Sequence, residues 1–237
     1  MIQGNGSIQT PIRFVCATRL PREKFLTNTL TGKSIQAVVG SGEIELCLYP
    51  ENARGLPDVY NEAIDSLLGK DPRILVFIHD DVLLCDFYYP SKIREGLSNW
   101  DVVGIAGNKR RLPSQPSWIV SDFLTMSQDD RAYLSGAVGQ GDLFPPAYMD
   151  IFGPPGQKCL LLDGLLLATN SLTLHKTGVR FDPKFRFHFY DMDFCRQVES
   201  AGLTMGTIPL TVVHSSWGSH DQSWREGYGK YIHKWVK

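Results

Sequence analysis

The stretch RILVFIHDDVLL, Arg73–Leu84, decides how this chain is read: the apolar residues Ile74 to Ile78 run straight into His79, Asp80 and Asp81. A short, non-alternating run rich in Val and Ile predicts a strand covered on both faces, as in a parallel sheet. Ligands of open α/β sheets gather at the carboxyl ends of such strands. Two adjacent carboxylates there repel each other unless a cation, a proton or a basic partner offsets them. A hard divalent ion that also grips phosphate oxygens meets that need, because Mg2+ or Mn2+ takes one or two carboxylates and leaves its other positions to water and diphosphate. The competing reading makes Asp80 a strand cap and Asp81 a solvated charge, and the dipeptide alone does not separate the two. Asp129-Asp130 follows Ser127-Gln128 with no apolar strand ahead of it, so there the uneventful reading is expected.

Strand-like and helix-like segments alternate on both sides of that stretch, which predicts an α/β fold with a mostly parallel central sheet flanked by helices. Arg13–Ala17 reads as the first strand, and Pro21 opens a short helix through Leu30. Ile35–Val39 and Ile44–Tyr49 read as strands split by Gly40-Ser41-Gly42. Leu56, Tyr60, Ala63, Ile64, Leu67 and Leu68 recur at helical spacing, with Pro57 in the first turn and Gly69 at the stop. Asp101–Ala106 is a further strand, and beyond it the alternation fails. Gly107–Gly156, rich in Gly, Pro, Ser, Gln and Asp, reads as a long irregular segment, functional or mobile. Leu160–Ala168 restores a buried strand, interrupted by Asp163-Gly164. An Asp inside LLLDGLLLA is costly unless it is paired or faces a cavity. Asp191–Ala201 reads as a helix ended by Gly202, and Met205–Val213 as a last strand reaching His214.

With 237 residues and 43% hydrophobic content the chain suits one large domain with a C-terminal appendage. A net charge of -1 argues against an electrostatic nucleic-acid binder. No apolar run approaches the ~18 residues of a membrane span, and Met1 to Thr10 is unlike a signal peptide. A soluble, cytoplasmic protein is the expectation. Cys16, Cys47, Cys85, Cys159 and Cys195 are scattered and mostly set in apolar sequence, so reduced, largely buried thiols are expected.

A second acidic cluster lies in FRFHFYDMDF, Phe185–Phe194, which places Asp191 and Asp193 at the start of a helix. The helix dipole alone favours acids there by ~0.3–1 kcal/mol, which suffices for Asp193. It does not explain why His188 and Tyr190 crowd the same turn. A carboxylate walled by aromatics is desolvated and its pKa rises, which suits a general base near neutral pH. His214 ends an apolar strand as the Asp pair does, and a neutral imidazole there can complete a metal site.

Taken in order, ATR at Ala17–Arg19, NARGLPDVYNEAI at Asn52–Ile64, HDDV at His79–Val82 and FDPKFRFHFYDMDFCRQVESAGL at Phe181–Leu203, extended by VVHSSWGS at Val212–Ser219, resemble the GT-A glycosyltransferases, and among them family 2. The similarity spans about residues 12 to 220. It implies a GT-A catalytic domain over residues 1–220, with a Rossmann-like nucleotide-binding half at 12–106, an acceptor and catalytic half at 107–220, and a helix at 221–237. It further implies an Mn2+- or Mg2+-dependent enzyme that uses a nucleotide-sugar, UDP before GDP, and an acceptor that is a sugar, a lipid-linked molecule or a protein. Asp81 and His214 fall on the metal ligands, Asp80 near the ribose or donor sugar, and Asp191 on the catalytic base of an inverting reaction. Ala17, Thr18 and Arg19 would line the nucleotide, and Asn52, Gly55 and Asn61 would lie against base and ribose. His79 stands where the first acid of the usual D-x-D would be and is placed with the nucleotide-contacting residues. Tyr190 replaces the Glu of the family's Glu-Asp pair. Asp163 is expected to bond a donor-sugar hydroxyl.

Three rivals follow. A nucleotidyltransferase needs a glycine-rich phosphate loop that ATRLPREKF lacks, a phosphohydrolase needs more clustered histidines than the six scattered here, and a nucleotide-sugar-binding module would show no turnover. In the tail, Trp224, Tyr228, Tyr231 and Trp235 mark one helical face among basic residues. Core packing is its expected role, with a lid or a peripheral membrane contact as alternatives.

Overall fold

The computed structural model describes residues 9–36, 43–216, 218 and 220–236. The first half contains β1 (Ile12–Ala17), α1 (Arg22–Asn28), α2 (Leu30–Ile35), β2 (Ile44–Tyr49), α3 (Leu56–Asp65), β3 (Ile74–Ile78), β4 (Val82–Leu84), α4 (Tyr89–Asn99), β5 (Val102–Gly104) and β6 (Ala106–Asn108). The second half adds β7 (Leu134–Gln140), β8 (Tyr148–Gly153), β9 (Lys158–Cys159), β10 (Leu161–Leu162), β11 (Leu166–Asn170), α5 (Ser171–Thr177), α6 (Tyr190–Ser200), β12 (Met205–Thr207), β13 (Val212–His214) and α7 (Gln222–Trp235).

All five residues of β3 are buried, as their unbroken apolar run requires. Each such side chain contributes roughly 1.5–3 kcal/mol by leaving water. β3 lies inside a seven-stranded sheet of order β2-β1-β3-β11-β5-β12-β9. β1 pairs in parallel with both β2 and β3, and β12 with β5, while β11 runs antiparallel to β3 and β5, and β9 antiparallel to β12. The sheet is therefore mixed rather than wholly parallel: β11 and β9 oppose the other strands. Across its face, Glu45 of β2 accepts from Arg13 of β1 and from Arg73 at the entry to β3, at 2.8 Å each.

A second sheet, β10-β6-β7-β13-β4 with β8 added along β7, packs beside the first. Three segments expected as single strands are divided between the two sheets. Asp101–Ala106 becomes β5 and β6, Leu160–Ala168 becomes β10 and β11, and Met205–Val213 becomes β12 and β13. Apolarity is continuous through each crossing, so hydropathy does not mark the change of partner. Asp163-Gly164 and Pro209 are its local signs.

Two further expectations are corrected. Ile35 closes α2 instead of opening a strand, Gln36 caps that helix, and residues 37–39 of the expected strand lie outside the described residues. Gly107–Gly156 is not irregular throughout, since β7 and β8 form a paired hairpin within it. The β7 sequence LSGAVGQ has little β-propensity, and its glycines serve close approach. A Cβ on Gly136 would sit 2.0 Å from the Ile105 carbonyl oxygen, and that glycine has φ +97°. The cysteines are all free, with Cys16, Cys159 and Cys195 buried. No helix among the described residues is long and apolar enough to cross a membrane.

Candidate active site

β3, β4 and β13 converge on one turn. The β13–β4 register pairs His214 with Val82, which sets His214 beside Asp81, and the Ser215 N–H donates to the Asp81 carbonyl at 3.1 Å. The turn is held from the far side by Thr31 of α2. Its hydroxyl lies 2.5 Å from the His79 carbonyl oxygen and 2.7 Å from that of Val82, and its N–H donates to the Asp80 carbonyl at 3.2 Å. Among the described residues His79, Asp81 and His214, all partly buried, bring one potential ligand atom each to within 4.8 Å of one another.

On the other side stands the turn between β10 and β11. His79 N–H donates to the Leu165 carbonyl at 3.1 Å, so Asp163-Gly164 lies against the end of β3. From α6, the Tyr190 hydroxyl donates to the Gly164 carbonyl at 2.8 Å and meets His79 Nε2 at 2.7 Å. Because the tyrosine proton is committed to Gly164, His79 Nε2 is the donor in that contact and the ring's lone pair is left on Nδ1. The Gly164 N–H in turn donates to Asp191 Oδ2 at 3.1 Å, and Asp191 Oδ1 accepts from Met192 N at 2.8 Å. Gly164 permits this assembly, for a Cβ there would lie 2.4 Å from the Tyr190 hydroxyl and 2.9 Å from the Asp191 Cβ. Phe189, just before α6, takes a left-handed φ of +66°, a strained state for a bulky residue that aims Tyr190 and Asp191 into the cleft.

Burial, reinforced by the charge of Asp163, lifts the Asp191 carboxyl to about 7. Asp81 moves the other way: against the upward pull of burial, the imidazoles of His214 and His79 hold it at about 2. Burial raises Asp80 above the usual carboxylate range, although the Thr18 hydroxyl beside it pulls the other way. His79 is pushed down by burial, whereas burial's pull on His214 is outweighed by Asp81, which leaves that imidazole above its ordinary range.

The triad could hold a metal ion. His214 Nε2 lies 3.3 Å from Asp81 Oδ1, yet this buried oxygen has no aligned hydrogen-bond donor among the described residues. An orphaned buried carboxylate oxygen beside two imidazoles is an incomplete electrostatic arrangement that a cation completes. The Tyr190 hydroxyl takes the ring N–H of His79, as a carboxylate, backbone carbonyl or water usually does behind a metal-bound histidine. His79 thus joins Asp81 and His214 rather than the nucleotide-contacting residues.

These groups line one cleft of about 970 Å³, together with Ala17, Asp80, Asp163 and Asp191. The β3–β4 turn and α6 supply one end. Aromatic and apolar side chains line the cleft as well, among them Trp118, Phe152 and Trp224.

The fold is shared with A197 from STIV. Its crystal structure aligns with 87% of this chain and 86% of its own at a TM-score of 0.50, and at 12% identity the likeness carries the fold alone. No protein-family model and no curated protein sequence matches the chain.

The remaining expected residues are placed differently. Thr18 is buried and its hydroxyl accepts from Leu20 N at 3.2 Å, while Arg19 is exposed. Asn52 closes a local turn with Arg54, and Asn61 bonds the Phe181 backbone in both directions at 2.7 and 3.0 Å. Gly55 begins α3, where a Cβ would press on Arg186 at 3.1 Å. None of these five lines the cleft, and Thr18, Asn52, Asn61 and Gly55 have local structural tasks. Asp129 is not solvated: it is buried, paired with Arg110 and bonded by Asn108 at 2.8 Å.

The tail helix packs, as its aromatic face predicts. Trp224 and Tyr231 of α7 each lie 5.5 Å from the Phe189 ring and so brace the strained residue ahead of Asp191. Asp193 is fully buried and bonded by Lys234 and Trp235 at 2.7 Å each, so it anchors the tail rather than simply complementing a helix dipole. Trp224 also reaches the cleft wall.

Proposed function

We propose that this chain is a metal-dependent glycosyltransferase of the GT-A type that moves a sugar from a UDP-sugar to an acceptor hydroxyl with inversion. The observation that carries this reading is the hydrogen-bonded path from the His79–Asp81–His214 triad through Tyr190 and Gly164 to Asp191, a carboxyl lifted to about 7. One cleft thus offers a place for a diphosphate and, joined to it, a base tuned to neutral pH.

His79, Asp81 and His214 would hold the cation. Of the two ions the resemblance implies, Mn2+ suits two imidazoles and a carboxylate better than Mg2+, which prefers oxygen donors and retained water. Such an ion supplies positive charge to the oxygens of a departing diphosphate. Asp191 takes the proton from the acceptor hydroxyl as that oxygen attacks the anomeric carbon. The Gly164 and Met192 N–H groups fix its carboxylate, and Asp163 keeps its proton affinity high enough for the task. Asp80 and Ala17 also line the cleft and would meet the nucleoside.

Calorimetry of UDP and GDP with and without Mn2+, repeated on Asp81→Asn, tests the reading. UDP binding should require the metal and collapse in the variant. Tight, metal-independent UDP binding by Asp81→Asn would remove the role given to the triad.

A further inference from the structure

We infer that Gln140 and Asp150 form a hydroxyl-recognition subsite beside the triad, and that the acceptor bound there is a carbohydrate. This deepens the glycosyltransferase reading and rests on it.

The β7–β8 register pairs Val138 with Asp150 and Gln140 with Tyr148. Side chains two residues apart share a face of a strand, so Val138 and Gln140 on β7 and Asp150 and Phe152 on β8 face the same way, and all four line the cleft. Register also places Gln140 opposite His214 in the β7–β13 pair, one strand from the triad. A ligand touching Gln140 is therefore next to the position assigned to the diphosphate.

Gln140 is only 9% exposed. Its Nε2 donates to Asp150 Oδ2 at 2.9 Å, which fixes the orientation of the amide, because the reversed amide would set oxygen against oxygen. Oε1 is then turned away from Asp150 and has no hydrogen-bond partner among the described residues. Buried acceptors are rarely left so, and the mechanism proposed above makes no use of this one. The corner offers two acceptors, the Gln140 oxygen and the Asp150 carboxylate, beside the second N–H of the Gln140 amide. The charge of the Asp150 carboxylate opposes phosphates and carboxylates as its ligands. A cationic ligand would meet Arg131 on the same cleft wall. Neutral hydroxyls remain.

The rest of the wall selects among hydroxyl compounds. Phe152 continues the face from Asp150 and meets Trp118 edge-on, with ring centroids 4.9 Å apart at 89°. An apolar aromatic surface next to paired acceptors matches a pyranose, which has an apolar C–H face and a rim of adjacent hydroxyls. A serine or threonine side chain offers one hydroxyl and no such face.

Saturation-transfer NMR on the full chain, without nucleotide or metal, tests this with the methyl glycosides of glucose, galactose, mannose and N-acetylglucosamine as probes and an N-acetyl-serine amide as comparison. At least one glycoside should bind saturably and the serine amide should not. Gln140→Met, which keeps the volume and loses the acceptor, should weaken that glycoside about tenfold, the effect of one lost buried hydrogen bond. Asp150→Asn, at a more open position, should weaken it less and leave the melting temperature unchanged. The subsite is overturned if no glycoside saturates, if both variants bind as the parent does, or if the serine amide binds with the same dependence on Gln140. Glycoside binding that depends on Gln140 in a chain that fails to bind UDP with Mn2+ would retire the transferase reading and keep the subsite.

Discussion

The two walls of the cleft are made from opposite kinds of strand. On one, β3 is a continuous apolar run and β1 is apolar but for Arg13, their propensity, burial and pairing agree, and Asp80 and Asp81 sit just past the end of β3. On the other, β7 is a glycine-rich strand held by its neighbours, with Gly136 against the Ile105 carbonyl and Gly139 against Pro146. The contrast teaches that the wall carrying the acidic turn is built on strong local preference, while the wall carrying Gln140 and Asp150 departs from it and is held by its neighbours.

The sharpest way to break the comparison is Asp191→Asn. Transfer should fall by about 10²- to 10⁴-fold, the usual share of a general base, with UDP binding retained. Undiminished transfer in a coupled assay would retire the base. Next is Tyr190→Phe, which removes the partner of His79 Nε2 without altering the ring stack. Metal affinity, titrated by calorimetry, should drop about 10- to 100-fold, and an unchanged affinity would detach Tyr190 from the triad.

A stability comparison comes third. Gly136→Ala and Gly69→Ala both place an alanine at positive φ, but only the former meets backbone. In urea titrations Gly69→Ala should cost about 1–2 kcal/mol and Gly136→Ala clearly more. Equal costs would mean that β7 does not depend on the close approach.

The smallest effect is one of pH. With the Asp191 carboxyl at about 7, transfer should rise up to that pH and level off above it, and Asp163→Asn should move the limb to lower pH. The sign for stability is opposite. A carboxyl raised on folding stabilises below its unfolded pKa of ~4, and that contribution is lost as pH climbs through about 7. Asp191→Asn should therefore flatten that part of the stability profile, and an unaltered profile would contradict the raised value.

Much of the donor side was legible in the sequence, since Ile74–Ile78 has one sensible environment and the acids at its end have few. The Asp163-Gly164 interruption was legible as an Asp that is either paired or facing a cavity, and Asp163 lines the cleft. Less was legible where partners lie far away. Tyr190 looks like a substitution in a motif until the fold brings His79 to within 2.7 Å of it. Gln140 and Asp150 sit in a stretch whose composition reads as loop, and only the hairpin register places them on one face. The strand divisions between sheets escaped for a related reason: hydropathy records burial, and these segments stay buried on both sides of each crossing.

Thr31 carries a consequence for binding. Because that residue grips the carbonyls of His79, Asp80 and Val82 together, the acidic turn is frozen when the protein folds. Ordering a backbone residue costs roughly 1–2 kcal/mol. An arriving ligand meets that turn already immobilised and keeps the corresponding share of its affinity, so this end of the cleft is preorganised by a helix that lies outside the cleft lining.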